Sequence, residues 1–282
     1  MKNLVIEDYR EYRDKYFLRK NNILNTDDQN SITIFTIVRN AEETIEKTIR
    51  SVLSQNYKNF EYIIVDGCST DRTLEIIKKY EEKINLWTSE KDLSPVDAAN
   101  KAISVASGEI IFGLSADDWI EPGLLSSIAE IFSQNPSFDF LYGDMHMIYS
   151  HEKKLIKGII NYKNDLMRGD PSFNYPCMAY KKSCFNDIGV YDLKYKFNND
   201  YEYLLRLTFS GYKGYYTPRI RVIRLPGGIG ENNHIRSAVD RISIMRKYKI
   251  PFLLPTLSIF LNLLRLYLFK IMKNIKNRFF KF

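Results

Sequence analysis

Between residues 31 and 118 the chain alternates short apolar, β-branched runs with segments whose apolar residues recur every three to four positions. That rhythm leaves few architectures open. Residues 31–38 read as a buried strand. Asn40 stands where it can cap the next helix, with Glu43 three residues on in capping-box position, and Ile45, Ile49, Val52 and Leu53 follow at helical spacing. Further strands are predicted over 60–65, 84–87 and 109–114, and helices over 71–80 and 95–106, the latter with Pro95 in its first turn. Strand–helix–strand at this spacing calls for an α/β fold with a parallel sheet and right-handed crossovers. Ligands of such sheets sit beyond the carboxyl ends of the strands. Asp66 and the pair Asp117–Asp118 each follow a predicted strand directly.

Beyond residue 138 the order loosens. Segments 138–142, 144–150 and 153–160 read as strands of a mixed part, and helices are predicted near 199–210 and 233–248. Residues 1–30 read as a charged amphipathic helix, an adornment on the domain, and the N-terminus lacks the apolar stretch of a signal peptide. The organisation expected is therefore an N-terminal helix (1–30), one α/β domain (31–230) and C-terminal helices with a tail (231–282).

Charge is divided unevenly. The formal net charge is +7, yet residues 241–282 hold ten Lys and Arg with no Asp or Glu. The remaining 240 residues carry 31 basic and 34 acidic side chains, a balance of −3. A basic tail on a mildly acidic body suits a membrane surface rather than a nucleic-acid groove, so nucleic acid is not an expected partner. In the long apolar stretch 251–272, Ser258, Asn262 and Arg265 make a narrow polar stripe. An in-plane amphipathic helix fits that pattern better than a span, which a central Arg disfavours. An aromatic content of 14% excludes disorder, and three cysteines without CxxC spacing (Cys68, Cys177, Cys184) exclude a disulfide scaffold. His146, His151 and His234 form no ligand cluster in sequence, and no Gly-rich phosphate loop or GxSxG elbow is present.

The acidic clusters carry the chemistry. Asp66 ends a strand before Gly67, where a carboxylate can accept the N–H of a base; Ser69 and Asp71 are accounted for as helix caps. Asp117 and Asp118 repel each other unless a cation or donors compensate, and oxygen-only ligands select Mg²⁺ or Mn²⁺. One of them could instead cap the helix after Pro122. Asp200 and Glu202 open a helix, where a carboxylate is already favoured by the helix dipole.

In this order and spacing, Thr36-Ile37-Val38-Arg39-Asn40-Ala41, Val65-Asp66-Gly67-Cys68-Ser69-Thr70-Asp71, Ser89-Glu90-Lys91-Asp92, Asp97-Ala98-Ala99-Asn100-Lys101 and Ser115-Ala116-Asp117-Asp118 resemble the family 2 glycosyltransferases over roughly residues 31–225. The subgroup most similar acts in bacterial surface polysaccharide synthesis. The resemblance implies a GT-A fold with a mostly parallel sheet, a nucleotide-binding half (31–120) and an acceptor half (121–230). It implies an inverting transfer from a nucleotide sugar, UDP-linked before GDP or dTDP, to a saccharide or lipid-linked acceptor at the cytoplasmic face of the membrane. Thr36, Asp66, Asp97, Asn100 and Asp117 would bind the nucleotide, Asp118 would hold Mn²⁺ or Mg²⁺, and Asp200 would be the general base with Glu202 as substitute. A scaffold that keeps the fold without catalysis is the alternative. The chain departs from the subgroup at Leu93-Ser94-Pro95-Val96, at Pro176-Cys177 and at Ser115, where Asp is usual.

Overall fold

A computed structural model describes residues 30–149, 152–169, 174–226 and 233–251, with the backbone alone at 18–19. The predicted N-terminal helix otherwise, and the amphipathic tail beyond Pro251, lie outside the described residues. Where residues 18 and 19 are seen they form a strand, β1 (Leu18–Arg19), antiparallel to β4. This corrects the helix expected over 1–30 at that point: backbone groups along the outer edge of β4 take a ladder partner there.

The predicted alternation is present. β2 (Ile32–Val38), β3 (Phe60–Asp66), β4 (Leu86–Ser89) and β5 (Ile110–Gly113) run parallel in the order β4-β3-β2-β5. Their crossovers contain α1 (Ile45–Leu53), α2 (Thr73–Lys79) and α3 (Pro95–Val105). Alternation along the strands explains why helices cover both faces. Tyr62 and Ile64 of β3 enter one core cluster with Ile45, Ile49 and Val52 of α1, while Ile63 and Val65 enter the other with Val96, Ala99 and Ile103 of α3. Ser94 caps α3, its Oγ accepting the Asp97 N–H at 3.2 Å, with Pro95 at the first helical position. The Asn40 cap is not formed. Asn40 is left-handed (φ 52°), and its Oδ1 accepts the Thr70 N–H at 2.8 Å, so it joins the loops after β2 and β3 instead.

The second half completes a mixed sheet in the order β1-β4-β3-β2-β5-β9-β7-β10-β6, with β8 off this path on β7. β6 (Asp118–Ile120), β7 (Phe140–Tyr149), β8 (Glu152–Ile156), β9 (Met178–Lys181) and β10 (Gly214–Arg224) alternate with α4 (Leu124–Gln134), α5 (Tyr162–Met167), α6 (Lys182–Ile188), α7 (Asn199–Phe209) and α8 (His234–Lys247). The two strands expected over 138–150 are one, β7. Gly143 lies inside it because a Cβ there would come within 2.2 Å of the Ile220 carbonyl, where β10 bulges between Thr217 and Arg221. Ile244 and Met245 of α8 share a core cluster with Leu204 and Leu205 of α7, so α8 packs on the domain. Among the described residues no helix is long and apolar enough to cross a membrane.

Candidate active site

The carboxyl ends of β2, β3, β4 and β5 define one rim. Asp66 is the last residue of β3, fully buried, and accepts from the Ser69 amide (3.1 Å), the Ser69 hydroxyl (2.5 Å) and the Ser89 hydroxyl across the β3–β4 ladder (2.5 Å). A carboxylate offers about four acceptor positions, so one remains for a further donor. Gly67 lets the next strand's loop close in: a Cβ there would stand 3.0 Å from Asp92 Oδ2.

That loop is a knot of charge. Lys101 is only 1% exposed and pairs with Asp92 (2.7 Å), Glu90 (2.9 Å) and Asp97 (3.3 Å). Burial works against its charge, but hydrogen bonds to Asp92 and Glu90 prevail and raise its pKa. Asp97 also accepts the Leu93 N–H at 3.1 Å, so it shapes the rim through the loop.

Three residues expected at the site are engaged elsewhere. Thr36 is buried two residues inside β2, its Oγ1 3.0 Å from the Tyr62 hydroxyl, on the sheet face covered by α1. Asn100 clamps a backbone: its Nδ2 donates to the Tyr191 carbonyl at 2.9 Å and its Oδ1 accepts the Tyr191 N–H at 3.0 Å. The described contacts of both are structural: core packing engages the first and chain pairing the second. Glu202 is the third. Two residues on a helix point to nearly opposite sides, and Glu202 turns from Asp200 toward α8. Its Oε1 accepts from Lys247 (2.8 Å) and the Tyr248 hydroxyl (2.7 Å), and its Oε2 from Arg206 (3.0 Å). It is a buried, fully partnered anion rather than a spare base.

Asp118 is the opposite case. It is 0% exposed, and neither carboxylate oxygen has a hydrogen-bond partner. Burial pushes its pKa up to about 7; Arg224 opposes the shift and Asp117 adds to it. Its backbone is held from α1, where the Thr48 hydroxyl reaches the carbonyls of Ala116 (2.9 Å) and Asp118 (2.7 Å). Thr48→Val is expected to leave both carbonyls without this donor and to lower unfolding free energy by about 1–3 kcal/mol, as read by urea denaturation.

Arg224 was not legible as a site residue. It ends β10, opposite Asp118 in the β10–β6 ladder, and its Nε is buried without a hydrogen-bond partner. Its charge also acts on Asp200, whose pKa burial nonetheless pushes up to about 6. Arg224 thus acts on both Asp118 and Asp200, and the buried Cys177 thiol lies under the charges of Asp118, Asp144 and Arg224. Only the pairing of β6 with β10, a hundred residues apart, could have revealed it.

Among the described residues no three His, Cys, Asp or Glu side chains gather as a ready metal cage. A hard cation nonetheless fits here. Asp118 presents two orphaned oxygens beside a second carboxylate, and Mg²⁺ or Mn²⁺ is commonly held by one or two carboxylates plus substrate phosphates.

Comparison with known proteins agrees with this arrangement. Residues 33–189, more than half of the chain, match the model of glycosyl transferase family 2. The Escherichia coli protein WfgD, a UDP-Glc:α-D-GlcNAc-diphosphoundecaprenol β-1,3-glucosyltransferase, is 37% identical over 111 residues, which are 39% of this chain and 43% of WfgD. Staphylococcus aureus TarS, in a crystal structure with UDP-GlcNAc, superposes with a TM-score of 0.63 at 19% identity, over 77% of this chain and 64% of that one. A mannosyltransferase from Pyrobaculum calidifontis, in complex with GDP-Man and Mn²⁺, superposes with a TM-score of 0.60 at 18% identity, over the same shares. The chain thus spans less than half of WfgD's length and about two thirds of the two superposed chains. With its parallel rim, its paired acids after β5 and its matched length, the chain belongs to glycosyl transferase family 2 and has the GT-A fold.

Proposed function

We propose that the protein transfers a sugar, with inversion, from a UDP-sugar to a saccharide or lipid-linked hydroxyl in the synthesis of a bacterial surface polysaccharide. The observation that carries this reading is Asp118, a buried carboxylate with no hydrogen-bond partner, in a chain of glycosyl transferase family 2. WfgD is named for a UDP-Glc donor and a diphosphoundecaprenol acceptor, and TarS was crystallised with UDP-GlcNAc, which supports the uridine nucleotide and the lipid-linked class.

Asp66 takes the remaining hydrogen bond from the base, and Asp97 acts behind it by fixing the loop at Leu93. Asp117 binds the nucleotide, and Asp118 is the ligand of Mn²⁺ or Mg²⁺. When bound, the ion supplies positive charge to the departing diphosphate. Arg224 adds a fixed cation on the neighbouring strand, preorganised by the ladder. Asp200 accepts the proton of the acceptor hydroxyl as its oxygen bonds to C1 of the sugar, while the bond from C1 to the diphosphate oxygen breaks on the opposite side. A carboxyl raised to about 6 is ionised at neutral pH yet more basic than an ordinary aspartate. Residues 121–230 form the acceptor half, and the basic tail keeps the enzyme on the inner face of the cell membrane.

A thermal-shift screen of UDP-, GDP- and dTDP-sugars with and without Mn²⁺ tests the reading. Stabilisation follows occupancy, about 2.7 kcal/mol at a hundred times Kd. A UDP-sugar that raises Tm only with the ion is expected; the same shift in chelator would remove Asp118 from its role. Cysteine chemistry reports on the same rim. Cys68 is exposed two residues past Asp66, whereas Cys177 and Cys184 are buried and burial raises both thiols, Cys184 up to about 12. Iodoacetamide should therefore modify Cys68 first by mass spectrometry, and UDP-sugar with Mn²⁺ should slow that modification.

A further inference from the structure

α8 has two unlike faces. Its inner face holds the segment that leads into Asp200: Asp240 Oδ2 accepts the Phe197 N–H at 3.0 Å, the Ser237 carbonyl and hydroxyl accept from Asn198 Nδ2 at 2.7 and 2.9 Å, and Lys247 reaches Glu202. Its outer face carries Ile235 and Val239, 71% and 61% exposed, in line with half-buried Ile242 and exposed Arg246 at helical spacing, with exposed Arg236 beside them. Two large aliphatic side chains one turn apart, both open to solvent, are not explained by the domain's own core.

We propose that this outer face of α8 is a lipid-contact surface that lies in the interface of an anionic bilayer. The charge argues for lipid over a protein groove. Residues 233–251 contain five basic side chains and one acidic; Asp240 and Lys247 are both turned inward, onto Phe197 and Glu202, while Arg236 and Arg246 stand exposed beside the stripe. An apolar stripe bordered by arginine is the pattern of an in-plane helix, with aliphatic groups among the acyl chains and cations at the headgroups. The face is also continuous in sequence with the wholly basic segment 241–282. The inference rests on the membrane-side reading above and sharpens it, by naming the surface and its consequence. The helix that touches lipid on one side positions Asp200 from the other.

The test uses the full chain with Cys68→Ser and Val239→Cys, labelled with bimane at position 239. It is mixed with vesicles of phosphatidylcholine alone or with phosphatidylglycerol, and both sedimentation and emission are read. Sedimentation with the anionic vesicles, together with a blue shift and quenching by spin-labelled lipid, is expected. Sedimentation without any change in emission overturns the α8 face while the membrane reading stands. Absence of sedimentation removes the membrane reading itself. Emission already blue before vesicles are added means that the chain's own C-terminal segment or a second copy covers the stripe, which also overturns the proposal. As an independent arm, Arg236→Glu should weaken partitioning into anionic vesicles about tenfold or more, with unchanged melting and unchanged transfer to a water-soluble acceptor. Unaltered partitioning in that variant would count against the lipid contact.

Discussion

Asp118→Asn will melt at a higher temperature than the unsubstituted protein at pH 8 in chelator, and will neither respond to Mn²⁺ nor transfer sugar. The reasoning is a proton balance. Folded, the Asp118 carboxyl titrates at about 7 instead of the ordinary 3.8 because burial strips water from its charge. Below about pH 4 both folded and unfolded chains hold the proton and nothing is lost. Between about 4 and 7 the folded chain holds more protons than the unfolded one, so stability falls as pH rises. Above about 7 the full penalty applies, roughly 4 kcal/mol at about 1.4 kcal/mol per pKa unit. An amide carries no such charge, although its own unsatisfied groups cost about 1–3 kcal/mol. The net gain is on the order of 1–3 kcal/mol, or several degrees at about 2–4 °C per kcal/mol. Calorimetry across pH 5–8 measures it. A variant that melts lower at pH 8, or still shifts with Mn²⁺, would show that Asp118 is satisfied by the protein and holds no ion.

Asp200→Asn should cost about 10²- to 10⁴-fold in kcat while donor affinity stays within a small factor, because only the proton acceptor is removed. In the unsubstituted enzyme with saturating Mn²⁺, which keeps Asp118 ionised, kcat/KM should fall tenfold per unit below about pH 6, where Asp200 becomes protonated, and level off above it. Arg224 holds that pKa down by its charge, so Arg224→Gln should move the acid limb to higher pH. Glu202→Gln separates structure from chemistry. It removes a buried anion from between Arg206 and Lys247 and should lower stability by about 3–5 kcal/mol, yet leave the acid limb where it was. An acid limb that moved with Glu202→Gln but not with Arg224→Gln would exchange the roles given to Asp200 and Glu202.

Local pattern carried the first half of the fold far. The runs that became β2 to β5 are bounded by polar turns and alternate with amphipathic helices, so periodicity alone placed the rim and its acids. What it could not supply was pairing between distant segments. Asn40 reads as a helix cap until its amide is seen joining the loop at Thr70, and Asn100 as a ligand until it is found on Tyr191. Glu202 and Asp200 share one acidic cluster in sequence, yet helical geometry sends them to different partners. Arg224 carries no local signature, and its place follows from a ladder to Asp118. The bulge between Thr217 and Arg221 hid that ladder further, because three extra residues invert which side chains share a face.

β6 joins the sheet through β10 alone among the described residues, so the acid after β5 is seated by a strand that ends at residue 224. Engineers who wish to exchange donor preference between members of this family would be tempted to cut near residue 189, where the family match stops. Such a chimera would divorce Asp118 from its seat and graft in a foreign counterpart of Arg224. Working hybrids should instead carry the β6 and β10 strands, together with α1 and its Thr48, from the same parent.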